Sequence, residues 1–301
     1  MTQNGPDSFS AFFGKTRKKR GVRGPRTGQE HAMAQPAFFS KENGPEHDEP
    51  LYMGEPRQHI VIASTPRVGS TLLAKGLTGA GAAPVFGEFF NRVHRSDFVK
   101  RWGLLSKEEY VRQLYRHRTT PDGIFAVKAH FSQFEAFMDL MPEASRCRYV
   151  FIERENKILQ AVSFFLGTLS GRWASGQQAK RRITEDDYDF ATIYAHLADI
   201  LGQNIAWVNF FNSNGIAPMH VVYERLAAQH ETTVREVCAF VRDQNGYAGA
   251  IKPPALKRQR TPLNDVLYRK FVEELTTKNK WALAHRNFLF LHKLDACTAC
   301  R

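Results

Sequence analysis

The sequence predicts an α/β fold, a central parallel β-sheet flanked by helices. Three observations carry that expectation. From residue 58 onward, short β-rich runs alternate with helical patterns, the sign of a parallel sheet covered by helices. The stretch "HIVIASTPRVGSTLLAKGL", residues 59–77, passes from an apolar run through a Pro- and Gly-containing loop straight into an amphipathic segment. With 301 residues, 43% of them hydrophobic, the chain is long enough to bury one large core or two small ones.

Taken in order, β-rich runs place strands at 60–63, 124–127, 148–153 and 219–223. Helical periodicity fills the intervals at 69–78, 107–117, 133–140, 157–169, 190–212 and 232–241. A last helix, 262–276, follows the irregular "IKPPALKRQRT". Successive βαβ units of this kind cross over right-handed. No internal repeat interrupts the region.

Residues 1–52 read differently, with Gly, Pro, Ser and Gln throughout, little apolar periodicity, and the basic block "GKTRKKRGVRGPR" at 14–26. They are expected to form a disordered basic tail ahead of a domain at 53–301. The block suits nucleic acid or anionic lipid, or is simply solvated, and Met33 and Met53 leave the translational start open. A formal net charge of +12 favours acidic partners in general: nucleotide phosphates, nucleic acid or an anionic membrane face. No run approaches the roughly 20 apolar residues needed to span a bilayer, and no signal-peptide core follows the basic run. Four cysteines are too few for a disulfide-stapled scaffold, so reduced thiols in a cytoplasm are expected.

In an open parallel sheet ligands bind beyond the carboxyl ends of the strands, and "STPRVGST" sits at one such end. Gly69 permits close backbone approach, the amides around Val68, Gly69, Ser70 and Thr71 can turn inward, and the helix offers its positive end to an anion. The nucleotide-triphosphatase loop is G-x-x-x-x-G-K-[ST]; here Arg67 precedes the glycine and no lysine stands before Ser70 and Thr71. That departure argues against an ordinary ATPase, GTPase or nucleotide kinase. In "RYVFIERENKILQAVSFF" a second strand delivers Arg154 to its end, and the next helix carries Ser163. An arginine fork and a hydroxyl suit another phosphate, so the pair of elements suits a nucleotide with two separated phosphates. Read singly, each is equally a helix cap or a helix serine bonded to its own backbone.

"STPRVGSTLL", "GEFF" and above all "RENKILQAVSFF…SGRW" resemble the PAPS-dependent sulfotransferases of the Stf0 (trehalose 2-sulfotransferase-like) branch, over about residues 58–275. The resemblance implies a P-loop, nucleotide-kinase-like sulfotransferase fold, PAPS as sulfuryl donor and PAP as product. It implies that Arg67 to Thr71 hold the 5′-phosphosulfate and that Arg154 with Ser163 hold the 3′-phosphate. "VVYERL" resembles the family's Y-E-x-L strand end and is read as structural; "LKRQRTPLND" resembles its late R-Q segment and makes Arg258 a further phosphate contact. Two departures stand out: Thr261 and Pro262 replace the usual acidic residue after R-Q, and Val68 replaces a common serine.

Sulfuryl transfer needs an in-line acceptor, stabilisation of the departing phosphate oxygen, and a base. Arg67 suits the electrostatic role. The Stf0 pattern puts the base at a glutamate following a second strand, here Glu88 in "VFGEFF". Classical cytosolic sulfotransferases use the histidine of a K-x-H segment, here Lys128 and His130 in "VKAHF". Glu88 is preferred because its flanks are Stf0-like on both sides; it then needs partial burial to become basic, whereas a histidine titrates near neutrality already. Lys128 either contacts the sulfonate or ends a strand, and His130 either positions the acceptor or packs in the core.

The expected activity is transfer of a sulfuryl group to a hydroxyl of a carbohydrate or glycolipid-type acceptor, with a homodimer suggested by the resemblance alone. The rival from another class is a non-catalytic nucleotide- or nucleic-acid-binding protein on the same scaffold. No metal site is expected; Cys297 and Cys300 form one C-x-x-C without a second pair. The segment "SGRWASGQQAKRRITEDDY" is read as an acceptor loop, and Phe89, Phe90, Phe131, Phe164, Phe165 and Trp173 as core or acceptor wall.

Overall fold

A computed structural model of the chain describes residues 42–103, 106–143, 146–174, 177–244, 246–252 and 260–277, all within one compact unit, Ala37–Arg301. Four parallel strands form the sheet: β1 (Gln58–Ser64), β2 (Ile124–His130), β3 (Cys147–Glu153) and β4 (Met219–Val222), in the order β2-β1-β3-β4. The chain leaves β1 for β2 on one side and returns across it to β3 on the other. The topological switch point therefore lies between the carboxyl ends of β1 and β3, where open α/β sheets bind ligands.

Strands buried on both faces need not alternate apolar with polar residues, and Ile60, Val61, Ile62 and Ala63 are all fully buried. Side chains still alternate in direction. Ile60 and Ile62 join Ile124, Ala126, Val150 and Ile152 on the face covered by α1 (Ser70–Gly79) and α8 (His230–Arg242). Val61 and Ala63 join an aromatic-rich layer on the other face with α2 (Arg92–Trp102), α3 (Lys107–Arg118), α4 (Phe131–Glu135) and α6 (Phe190–Ser213). Trp207 of α6 is fully buried there and donates its indole N–H to the Ser64 carbonyl at 3.1 Å, tying the long helix to the end of β1. A third cluster joins α5 (Lys157–Ser170) and α6 to α9 (Pro262–Thr277). After β4 comes the short α7 (Tyr223–Ala228).

All four strands and the long helices lie where the sequence places them. The expected helix at 133–140 is instead α4 followed by a separate 3-10 turn at Met138–Leu140. Helix α2 was not anticipated, because its polar sequence, "RVHRSDFVKRW", buries only His94 and Phe98. It is defined by its ends: the Asn91 side chain accepts from Val93 N–H, and Gly103 closes it at φ 65°.

Residues 42–52, which precede the expected boundary at 53, are among the described residues. Residues 42–52 already pack on the domain: buried Arg118 donates to the carbonyls of Glu42, Gly44 and His47 and pairs with Asp48. Tail residues 1–41, and also Arg258, Cys297 and Cys300, lie outside the described residues.

Candidate functional site

The loop between β1 and α1 occupies the switch point, and two of its residues have left-handed backbone. Gly69 has φ 102° and Arg67 φ 63°, the latter a conformation that costs a side chain about 1–2 kcal/mol. A Cβ on Gly69 would lie 2.3 Å from the Tyr223 ring, so glycine is required both for torsion and for space. Gly69 caps α1 without any side-chain hydrogen bond, which leaves the first-turn amides with the helix's positive end directed at the crevice. Val68 contributes backbone only, since its side chain is buried in the core. Gln160 of α5 fixes the loop by donating to Thr65 Oγ1 at 2.9 Å and to the Pro66 carbonyl at 2.7 Å.

The second anion element meets the first. Asn156 caps α5 by accepting from Leu159 N–H at 2.7 Å, which starts the helix just past β3 and turns Ser163 towards the loop. Arg67 Nε lies 3.2 Å from Ser163 Oγ, and its Nη1 donates to the Trp173 carbonyl. Burial first, then the like charge of Arg154 and of Arg172, pulls Arg67 down to about 10, so it stays protonated at neutral pH among cations that repel it. An anion placed here relieves that repulsion. Arg67 and Ser163 line a cleft of about 200 Å³ together with Arg172, Arg181, Arg182 and Asn264. The segment read from sequence as an acceptor loop thus adds its arginines to the Arg67–Ser163 cleft. Arg172 belongs to the quoted "SGRW", whereas Arg181 and Arg182 sit beside no recognisable motif, and only the third dimension brings them in.

Arg154 stands at the end of β3 with its guanidinium 5.0 Å from the centre of the Tyr223 ring and its Nε 3.6 Å from Glu224 Oε1.

The third group of residues faces the loop from β2. Gly87 forms an isolated parallel bridge with Val127, and Lys128 N–H donates to the Gly87 carbonyl at 3.0 Å, so Glu88 follows a bridge and not a full strand. This pairing sets Glu88 beside Lys128: Nζ lies 3.3 Å from Glu88 Oε1 and 3.0 Å from Thr71 Oγ1. The ammonium absent from the loop itself is supplied by the neighbouring strand. Burial alone would raise the Glu88 carboxyl, but Lys128, then His130 and His94, and a hydrogen bond from Asn91 hold it well below the usual carboxylate range. Lys128 is displaced upward: burial opposes its charge, and the charges of Glu88 and Glu42, with the hydrogen bond to Glu88, together outweigh burial. The pair is an ion pair at neutral pH.

His130 is lowered by burial, against the pull of Glu88, and is neutral. Its tautomer follows from Gln133. The Gln133 Oε1 accepts the His130 backbone N–H at 3.3 Å, which leaves Gln133 Nε2 facing the ring Nδ1 at 3.3 Å. Nδ1 is then an acceptor, and the ring proton sits on Nε2. His130 offers the site a donor, where a base would need an open lone pair.

Of the aromatics, Phe89, Phe90 and Phe165 are core residues, while Phe131, Phe164 and Trp173 are only partly buried. Among the described residues no group of three His, Cys, Asp or Glu side chains is arranged to hold a metal ion, and no helix is long and apolar enough to cross a membrane.

Similar solved structures include a sulfotransferase from Alicyclobacillus acidocaldarius, 13% identical, with TM-score 0.42 and coverage of 77% of this chain and 97% of that one. The sulfotransferase domain of the Synechococcus PCC 7002 olefin synthase is 12% identical, with TM-score 0.39 and coverage of 74% and 98%. A retinol dehydratase in complex with retinol and PAP is 13% identical, with TM-score 0.38 and coverage of 83% and 85%. Likenesses of this size carry no argument about substrates. No curated protein matches the chain. Residues 135–273, which run from α4 into α9 and include Arg154, Ser163, Tyr223 and Glu224, match the family model described as Stf0 sulphotransferase.

Proposed function

We propose that the protein transfers a sulfuryl group from PAPS to a hydroxyl of a carbohydrate or glycolipid-type acceptor. The observation that carries the donor half is the meeting of two anion-binding elements at one switch point, with Arg67 touching Ser163 at 3.2 Å. The amides of the first turn of α1, with Ser70 and Thr71, suit the 5′-phosphosulfate; Arg154 and Ser163 suit the 3′-phosphate. PAPS supplies the activated sulfuryl group. In the transfer the acceptor oxygen forms a bond to sulfur, the bond from sulfur to the 5′-phosphate oxygen breaks, and the acceptor proton passes to Glu88, leaving PAP.

Each residue has a role that its position suits. Arg67 and Lys128 neutralise the oxygen on which charge grows. Glu88 takes the proton, since it is ionised and lies 3.3 Å from Lys128, whereas the Nδ1 of His130 already accepts from Gln133. A carboxylate depressed by its neighbours is a weak base, and the donor itself corrects this. Negative sulfonate charge arriving at Lys128 offsets the ammonium's pull on Glu88 and raises its proton affinity once the donor is bound. His130 Nε2–H positions the acceptor hydroxyl.

Incubating the full chain with ³⁵S-labelled PAPS and separate panels of disaccharides, glycolipids and phenols tests the acceptor half. A labelled carbohydrate ester is expected. Transfer to phenols alone would contradict it.

A further inference from the structure

The Y-E-x-L segment reads as structural in sequence, yet it lies against both anion elements. Val222 of β4 pairs in register with Glu153 of β3, so α7 begins beside the end of β3. Glu224 grips the chain there at two points: Oε1 lies 3.6 Å from Arg154 Nε, and Oε2 accepts the backbone N–H of Glu155 at 3.0 Å. Tyr223 reaches two ways. Its ring lies 5.0 Å from the Arg154 guanidinium, and it packs so tightly on Gly69 that no Cβ fits between them. One residue earlier in chain order than Arg154, Glu153 is held at 2.9 Å by both His220 and Lys157.

We infer that Tyr223 and Glu224 set the two phosphate elements against one another, with Glu224 the positioning residue of Arg154 and hence a determinant of selectivity for a 3′-phosphate. This rests on the proposed two-phosphate donor. A long guanidinium side chain loses rotamer freedom when it binds, and holding it in place beforehand removes that cost from the binding step. The Glu224 carboxylate beside Nε and the Tyr223 ring beside the guanidinium bias where the fork rests. The Glu224 side chain is 34% exposed and its ion pair is long, so the contact is screened and contributes little to folding; its consequence is orientation. The Tyr223 ring touches the 5′ loop as well as Arg154, and its loss is felt at both phosphates.

The test is calorimetric binding of PAP and of AMP to the full chain. Glu224→Ala is expected to weaken PAP at least tenfold while AMP stays within twofold, and Glu224→Asp to restore most of the loss. Tyr223→Ala is expected to weaken both nucleotides, and Tyr223→Phe neither. Should the alanine variant at 224 not fold, Glu224→Gln reports the same ratio, since it keeps the shape and an acceptor for Glu155 N–H. An unchanged PAP affinity, or an equal loss for PAP and AMP, would overturn the inference. A wild-type chain that does not prefer PAP over AMP would instead refute the donor reading, which the inference presupposes.

Discussion

The two flanks of the switch point are built from different materials. On the flank that lies within the family match, an arginine and a serine stand nine residues apart on one strand end and its helix; the Tyr223 ring and the Glu224 carboxylate lie against Arg154, and Glu224 also accepts the Glu155 N–H. On the flank that precedes the match, the clustered side chains come from separate segments: Glu88 follows a bridge, Lys128 and His130 belong to β2, and Thr71 to α1. The proposed 3′-phosphate site is written along one piece of chain. The proposed base site is instead a buried charge cluster, and its properties belong to the cluster and not to any single member.

The sharpest way to separate the flanks is to break each alone. Glu88→Gln is expected to lower kcat by about 10² to 10⁴ while leaving PAP affinity within twofold, read by stopped transfer from labelled PAPS and by calorimetry. Full activity in that variant would move the base to His130. Lys128→Met leaves the Glu88 carboxylate buried beside no ammonium and should cost about 3–5 kcal/mol in urea unfolding, because removing one partner strands the other. Arg154→Ala should weaken PAP about 10- to 100-fold, as loss of a charged hydrogen bond does, and spare AMP.

The pH response sharpens the same contrast. Donor charge near Lys128 raises Glu88, so the acid limb of kcat, which reports the loaded enzyme, should lie at higher pH than the acid limb of kcat/KM. Coincident limbs would show that the donor does not touch the cluster.

The smallest effect is expected at the far end of the sheet. His59 is 1% exposed between the rings of Tyr115 and Phe125, and burial first, with Arg146 second, pulls it down to about 3. Its unfolded form takes a proton below about 6.5 and its folded form does not. Its contribution is therefore complete above pH 6.5 and falls as the pH drops, by about 2 kcal/mol at pH 5. His59→Phe should shrink the difference between urea midpoints at pH 7 and pH 5; an unaltered difference would place the acid sensitivity elsewhere.

How much of this was legible in the sequence follows the same division. The strands were legible because parallel strands buried on both faces are unbroken apolar runs, as at Ile60 to Ala63. The placement of Arg67, Gly69, Arg154 and Ser163 at or just beyond strand ends was legible because strand–loop–helix units set it. Helix α2 was not, because capping by Asn91 and Gly103, more than an apolar stripe, defines it. Neither was the packing of residues 42–52, which depends on Arg118, some seventy positions away, donating to three of their carbonyls. The tie between Lys128 and Thr71 is likewise a product of register: β2 runs beside β1 with Lys128 opposite Ile62. Sequence can nominate such residues, and only pairing places them together.

The central claim is that one switch point holds two phosphates of one nucleotide. Calorimetric titration of the full chain with PAP, AMP and ATP tests it most directly. PAP is expected to bind at least tenfold more tightly than AMP or ATP. Equal affinities for PAP and AMP, with the protein folded, would contradict it and favour a binding protein on a sulfotransferase scaffold.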